Sequence, residues 1–271
     1  MKRMVYQGLL VRLIMLSLSL VFFELSCVQP KISIITSMKD GEYFIAPFLA
    51  DIVRQTVFAQ CELIIINVSP RGEGFAKNII HKYRAKYPQI IYQRLPQDPG
   101  LYAVWNKGIK LARGVYVTNA NLDDRLAPDC YEVHARVLDE NPAVDLVYSN
   151  SHITRLPNET FECNSAAGLI NHPEFYPDAI KKGNLPSFNP MWRKNLHEKY
   201  GYFDPAFRIT GDWEMWVRAI VGGAKFKKAT GIHGLFYYNT KGLSLDRSTF
   251  TEQRQERERV QEKYPNFFAK E

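Results

Sequence analysis

The chain alternates short, mostly apolar runs with longer stretches whose apolar residues recur at three- and four-residue spacing. Residues 31–36 (Lys-Ile-Ser-Ile-Ile-Thr) form the first such run, and 63–66 (Leu-Ile-Ile-Ile), 90–92 and 114–118 follow. Runs this short and this rich in β-branched residues predict strands buried on both faces, as in a parallel sheet. Between them, 43–58 carries Phe44, Phe48, Leu49, Ile52 and Val53 at near-helical spacing, and 76–87 and 101–112 read the same way. Strand and helix in strict alternation predict an α/β domain with right-handed crossovers.

After residue 125 the pattern loosens. A helix is expected over 128–138 and a strand over 144–148, but 154–190 carries five prolines and two glycines with no sustained period. A loop-rich stretch of that length inside a compact domain points to function. An amphipathic helix is expected to start at 210–219, a late strand at 236–238 and a charged helix at 250–263.

Composition adds bounds. The 271 residues, 46% hydrophobic and 23% charged, suit one α/β domain with additions. The net charge of +7 is scattered, and its densest cluster, Arg254, Arg257, Arg259 and Lys263, alternates with glutamates, as on a solvated helix face. No nucleic-acid motif accompanies it. Cys27, Cys61, Cys130 and Cys163 show neither metal-ligand spacing nor a disulfide framework, which fits reduced thiols in a cytosolic compartment. Residues 13–23 form an apolar run behind Lys2, Arg3 and Arg12. It falls short of the ~20 residues needed to span a bilayer. Anchor, signal-like segment and extension stay open for 1–29, and the expected placement is cytoplasmic with peripheral membrane contact through this segment.

The candidate chemistry begins where the strand at 114–118 runs into Asn-Ala-Asn-Leu-Asp-Asp-Arg. Ligands sit at the carboxyl ends of strands in open α/β sheets. Two adjacent acids there, Asp123 and Asp124, suit a divalent cation that also holds phosphates. Further on, Gly211-Asp212-Trp213-Glu214-Met215-Trp216 places an acid at a helix start, where the dipole favours its ionised form.

Five segments in order, 32–36, 62–67, 100–108, 121–124 and 211–216, resemble glycosyltransferase family 2. The resemblance runs from about 31 to 245. It implies a GT-A fold: a Rossmann-like, mostly parallel sheet flanked by helices, with a loop-rich, acceptor-side C-terminal half. It divides the chain into an N-terminal segment (1–29), a glycosyltransferase domain (30–245) and a charged C-terminal helix (246–271). The implied activity is metal-dependent, inverting, non-processive transfer of a sugar from a nucleotide-diphosphate donor to a glycan, lipid-linked or protein acceptor. Mn²⁺ or Mg²⁺ is the implied cofactor. Carried over position by position, Asp123 and Asp124 are metal residues, and Thr36, Asn67, Asp98, Asn106 and Asp123 are donor-binding. Asp212 is the general base. Asn121, Asn67 and Gly211 depart from the acids the family often shows at those positions. A non-catalytic module of the same fold, or a sugar nucleotidyltransferase, is the competing reading. His233, Lys241 and Ser244 carry weaker expectations of metal and diphosphate contact.

Overall fold

The structure, a computed structural model, describes residues 29–70, 74–186 and 188–269. From Lys31 onward these residues form one unit. Its first half follows the expected alternation: β1 (Ile32–Met38), α1 (Ile45–Val53), β2 (Cys61–Asn67), α2 (Ala76–Lys86), β3 (Ile90–Arg94), α3 (Leu101–Leu111) and β4 (Tyr116–Asn119). These four strands pair parallel, in the order β3-β2-β1-β4. All seven residues of β2 are buried. Successive side chains of a strand face opposite ways, so Ile64 and Ile66 join one core while Leu63 and Ile65 join the other. That is why the strands read as unbroken apolar runs. The α3 helix lies so close to β1 that a Cβ on Gly108 would come within 2.4 Å of the Ile35 side chain. Cys61 and Cys130 are buried members of the second core.

The second half continues with β5 (Arg125–Leu126), α4 (Cys130–Glu140), β6 (Leu146–Thr154), β7 (Gly168–Ile170), β8 (Met191–Arg193), α5 (Leu196–Tyr200), α6 (Gly211–Val221), β9 (Phe226–Tyr237), α7 (Phe250–Lys263) and α8 (Pro265–Phe268). Here β8 pairs antiparallel with β4 and β6, and β6 runs parallel to β9. The β5 strand closes antiparallel on β9, and β7 sits on β6. Among the described residues the nine strands make one sheet, parallel in its first half and mixed in its second.

Two sequence-based expectations change. The late strand begins at Phe226, ten residues before 236, because its lysines and glycines hide the apolar alternation and its register with β6 shifts around Asn150. The stretch 154–190 holds β7 and a short helical turn at Pro177–Lys182. A third expectation is corrected: among the described residues no helix is long and apolar enough to cross a membrane. The cytoplasmic, membrane-contacting placement drawn from residues 13–23 therefore has no support, and that segment lies outside the described residues.

An aromatic cluster joins the halves beneath the sheet's carboxyl edge. Trp192 of β8 meets Trp216 of α6 at 5.3 Å between ring centroids, and Phe203 lies 5.6 Å from Trp216, 5.3 Å from Trp105 and 5.8 Å from Tyr102. Edge and stacked contacts of this kind each add about 1 kcal/mol beyond simple burial. They fix α6 against α3 and so set where Asp212 stands.

Candidate active site

A cleft of about 810 Å³ opens at the carboxyl ends of β1 and β4, and both Asp123 and Asp212 line it. The strand β4 ends at Asn119, and residues 121–124 turn before β5. Both oxygens of Asp124 are used inside the protein. One accepts the Tyr237 N–H at 2.9 Å, the other the Asn121 side-chain amide at 3.0 Å. Burial, reinforced by the neighbouring charge of Asp123, pushes the Asp124 carboxyl well above its ordinary range. Asn121 thus has a physical reason to depart from the family's acid. An amide donates to Asp124, whereas a third carboxylate would repel it.

Asp123 is more open. Asn239, just beyond β9, donates to its Oδ2 at 3.0 Å, and no other hydrogen bond engages its carboxylate among the described residues. Arg125 pins the turn from below, donating to the Leu122 carbonyl at 2.8 Å and to Asn158 at 2.7 Å. Asp51 of α1 accepts the Leu126 N–H at 3.0 Å, and burial pushes its carboxyl up to about 7.

Across the cleft, Asp212 occupies the first turn of α6. Its Oδ1 accepts the Trp213 N–H at 2.8 Å and lies 3.2 Å from the Tyr102 hydroxyl; its Oδ2 accepts the Asn184 amide at 2.6 Å. Burial raises its carboxyl above the ordinary range, and the donated hydrogen bonds oppose that rise. A carboxylate so placed is a stronger proton acceptor than an exposed one. Gly211 also has its reason. A Cβ there would fall 2.6 Å from the Tyr102 ring, whose hydroxyl donates to the Ile209 carbonyl at 2.7 Å.

The segment leading into α6 is held by Glu256 of α7. Its carboxylate accepts the N–H groups of Arg208, Ile209 and Thr210 and the Thr210 hydroxyl, between 2.5 and 3.0 Å. Glu214, one turn into α6, is buried too. Burial raises its carboxyl, but hydrogen bonds from Arg218, Lys263 and Tyr264 bring it below the ordinary range.

Thr36, Asn67, Asp98, Asn106 and His233 lie outside the cleft lining. The Thr36 hydroxyl is buried without a hydrogen-bond partner. Asn67 donates to the Tyr92 hydroxyl and accepts the Ser69 N–H, closing the turn after β2. Asp98 accepts the Gly100 N–H and pairs at 2.8 Å with Lys39, itself a lining residue. Burial raises the Asp98 carboxyl, but its bonds to Lys39 and Gly100 together carry it below the ordinary range. Asn106 exchanges two hydrogen bonds with the Phe203 backbone, docking α3 on the segment before α6. His233 is engaged by Asp129 and the Thr230 carbonyl inside β9, whereas Lys241 and Ser244 do line the cleft.

Sequence reasoning missed Asn184, Asn239 and Glu256, each of which touches a candidate residue or its segment. None sits in a motif. Only their meeting in space marks them.

The family model described as Glycosyl transferase family 2 matches residues 33–201. An uncharacterized glycosyltransferase of Methanocaldococcus jannaschii is 22% identical over 209 residues, 73% of this chain and 67% of its own length. The uncharacterized glycosyltransferase YwdF of Bacillus subtilis is 27% identical over 192 residues, 70% of this chain and 68% of its own length. Among solved structures, S. aureus TarS 1-349 in complex with UDP-GlcNAc aligns with a TM-score of 0.64 at 17% identity, over 77% of this chain and 59% of that one. The mannosyltransferase PcManGT from Pyrobaculum calidifontis, in complex with GDP-Man and Mn²⁺, aligns with a TM-score of 0.59 at 13% identity, over 80% and 59%. The chain thus spans about three fifths of the length of these two solved structures, and the likeness to them is one of fold.

Proposed function

The chain belongs to glycosyl transferase family 2 and is a glycosyltransferase, and from that premise we propose that it inverts the anomeric centre of a nucleotide-diphosphate sugar in one displacement. The observation that carries this reading is that Asp123 and Asp212, from distant parts of the chain, line one and the same cleft. Asp212 takes the proton from the acceptor hydroxyl as that oxygen attacks the sugar's anomeric carbon and the bond to the diphosphate breaks. Its raised carboxyl suits the task, because a base acts best when its pKa approaches the working pH. Asn184 and the Trp213 N–H hold the carboxylate in one orientation.

The donor set on the other wall fits a divalent cation. Mg²⁺ and Mn²⁺ commonly take one or two carboxylates and fill the remaining positions with phosphate oxygens and water. Asp123 has an oxygen to give, while both Asp124 oxygens already accept hydrogen bonds, so Asp123 would hold the cation and Asp124 orients the turn. A bound cation supplies charge stabilisation to the departing diphosphate. The donor-binding roles of Thr36, Asn67, Asp98 and Asn106 rest in this proposal on the family resemblance, and Asp98 reaches the cleft through its pairing with the lining residue Lys39.

The test is calorimetric titration of UDP, GDP and their sugar conjugates with and without Mn²⁺, followed by NMR of the product's anomeric proton. Metal-strengthened nucleotide binding and an inverted product are expected. Nucleotide binding that ignores the metal would remove the cation's role, and binding without turnover of any sugar donor would favour a non-catalytic module.

A further inference from the structure

We propose that the Asp212 side of the cleft receives an acceptor bearing an anionic group, a phosphate or a carboxylate, close to the hydroxyl that takes the sugar. This rests on the reading above, since it names the acceptor class of that same site. The guanidinium of Arg257 lies 4.8 Å from the ring centroid of Trp213, the residue after Asp212, and it lines the cleft. On the same helix Arg254 pairs with Glu258, and Glu252 takes Arg208 from the segment before α6, but Arg257 has no carboxylate partner among the described residues. Stacking on the indole fixes the guanidinium and takes water from one of its faces, leaving its donors for a ligand.

The next turn of chain repeats the pattern. A Cβ on Gly183 would stand 3.7 Å from an Arg257 terminal nitrogen, so the guanidinium passes beside that residue. Immediately after it, Asn184 donates to Asp212 while its own Oδ1 is buried with no donor. Immediately before it, the exposed Lys182 also lines the cleft and has no ion pair among the described residues, whereas its neighbour Lys181 is engaged by Asp178. Lys182 and Asn184 of one three-residue segment, Asp212 of α6 and Arg257 of α7 therefore line the same cleft, bringing base, orphan acceptor and two cations together. The orphan Oδ1 fits a second hydroxyl of the acceptor, and the cations fit its charge.

The diphosphate is the other anion that could meet these cations, but a direct displacement puts the leaving group on the face opposite the base. Arg257 is tied to the base's own turn. Lys241, whose N–H bonds the same Asn239 that donates to Asp123, also lines the cleft and offers the diphosphate a cation of its own.

The experiment titrates three small probes, sn-glycerol 3-phosphate, D-glycerate and glycerol, into the full chain saturated with a nucleoside diphosphate and Mg²⁺, followed by ligand-observed NMR. A charged probe is expected to bind about tenfold tighter than glycerol. Whichever of the phosphate and the carboxylate binds tighter identifies the anion. Arg257→Gln and Lys182→Gln should each remove most of that advantage and leave the nucleoside diphosphate Kd unchanged. Lys182 is exposed and unbonded, so its variant keeps the test meaningful if Arg257→Gln fails to fold. Equal binding of charged and neutral probes overturns the proposal, as does weakened nucleotide binding in Arg257→Gln with probe binding untouched. If no nucleotide binds at all, the donor reading fails instead, and the same probes titrated alone decide the anion preference by the same criterion.

Discussion

The two halves of the sheet are built on different principles. The β3-β2-β1-β4 half is made of successive strand–helix units in one parallel sheet, with β2 between its sequence neighbours and β4 crossing over to β1, and it presents Asp123 and Asp124 on the turn after its last strand. The β8-β6-β9-β5 half mixes directions and joins segments far apart in the chain. Its wall of the cleft is assembled from the 182–184 segment, the start of α6 and helix α7. The first half is a rigid shelf of local origin. The second is a composite, held in register by buried polar contacts such as Glu256. A site divided this way can keep one binding surface constant while its opposite wall varies.

The largest expected effect tests the composite wall. Asp212→Asn keeps the hydrogen-bonding shape but cannot take a proton, so transfer should fall by roughly 10²–10⁴-fold. Nucleotide binding, measured by titration, should stay intact; a variant with full activity would remove the base from this wall. In the native chain the transfer rate should rise with pH through a midpoint above the ordinary carboxylate range, since burial raises Asp212. That profile should vanish from the residual activity of the Asn variant.

Next comes the shelf. Asp123→Ala should erase the Mn²⁺ dependence of nucleotide binding and weaken it about tenfold or more. Asp124→Asn should act mainly on folding, because both its oxygens face protein donors. Metal dependence retained in the Asp123 variant and lost in the Asp124 variant would reverse the two assignments.

Glu256→Ala then asks how much the composite half owes to one buried carboxylate. It strands three backbone N–H groups and a hydroxyl, at a cost of about 3 kcal/mol. For a domain of this size that corresponds to roughly 6–12 °C in Tm. The same variant should lower kcat more than it raises the donor's KM, because the segment it frees leads into Asp212. A loss confined to Tm would make Glu256 purely structural.

The smallest effect concerns Asp51, which tethers β5 behind the acidic turn. Its carboxyl holds a proton to about pH 7 in the folded chain but only to the ordinary carboxylate range when unfolded. The folded state binds the extra proton between those limits, so its contribution to stability is complete below the lower one and is lost as pH rises toward 7. Asp51→Asn should flatten the fall in Tm across that window by a few degrees. An unchanged slope would assign the pH dependence to other groups.

The first half was legible because its signals are local. The runs at 31–36 and 63–66 can bury both faces only inside a parallel sheet, and the spacing of Phe44, Phe48, Leu49 and Ile52 belongs to one side of a helix. The second half was much less so. A three-residue strand at Met191–Arg193 has no period to detect, and β9 spends its first ten residues among lysines and glycines. The same contrast holds within the cleft. Asp123, Asp124 and Asp212 stand in motifs, whereas Asn184, Asn239 and Glu256 act on residues 28, 116 and 46–48 positions away.

What the amino-acid order determined by itself was the alternating α/β architecture and the two places where acids meet the end of a strand or the start of a helix. Hydrophobic period and helix-end chemistry act over a few residues, so a single chain displays them directly. Which oxygens stay open, why Gly211 and Asn121 replace acids, and which cations gather beside Asp212 were decided by the tertiary structure. Those properties depend on burial and on partners brought together from distant segments, and neither exists until the sheet has closed.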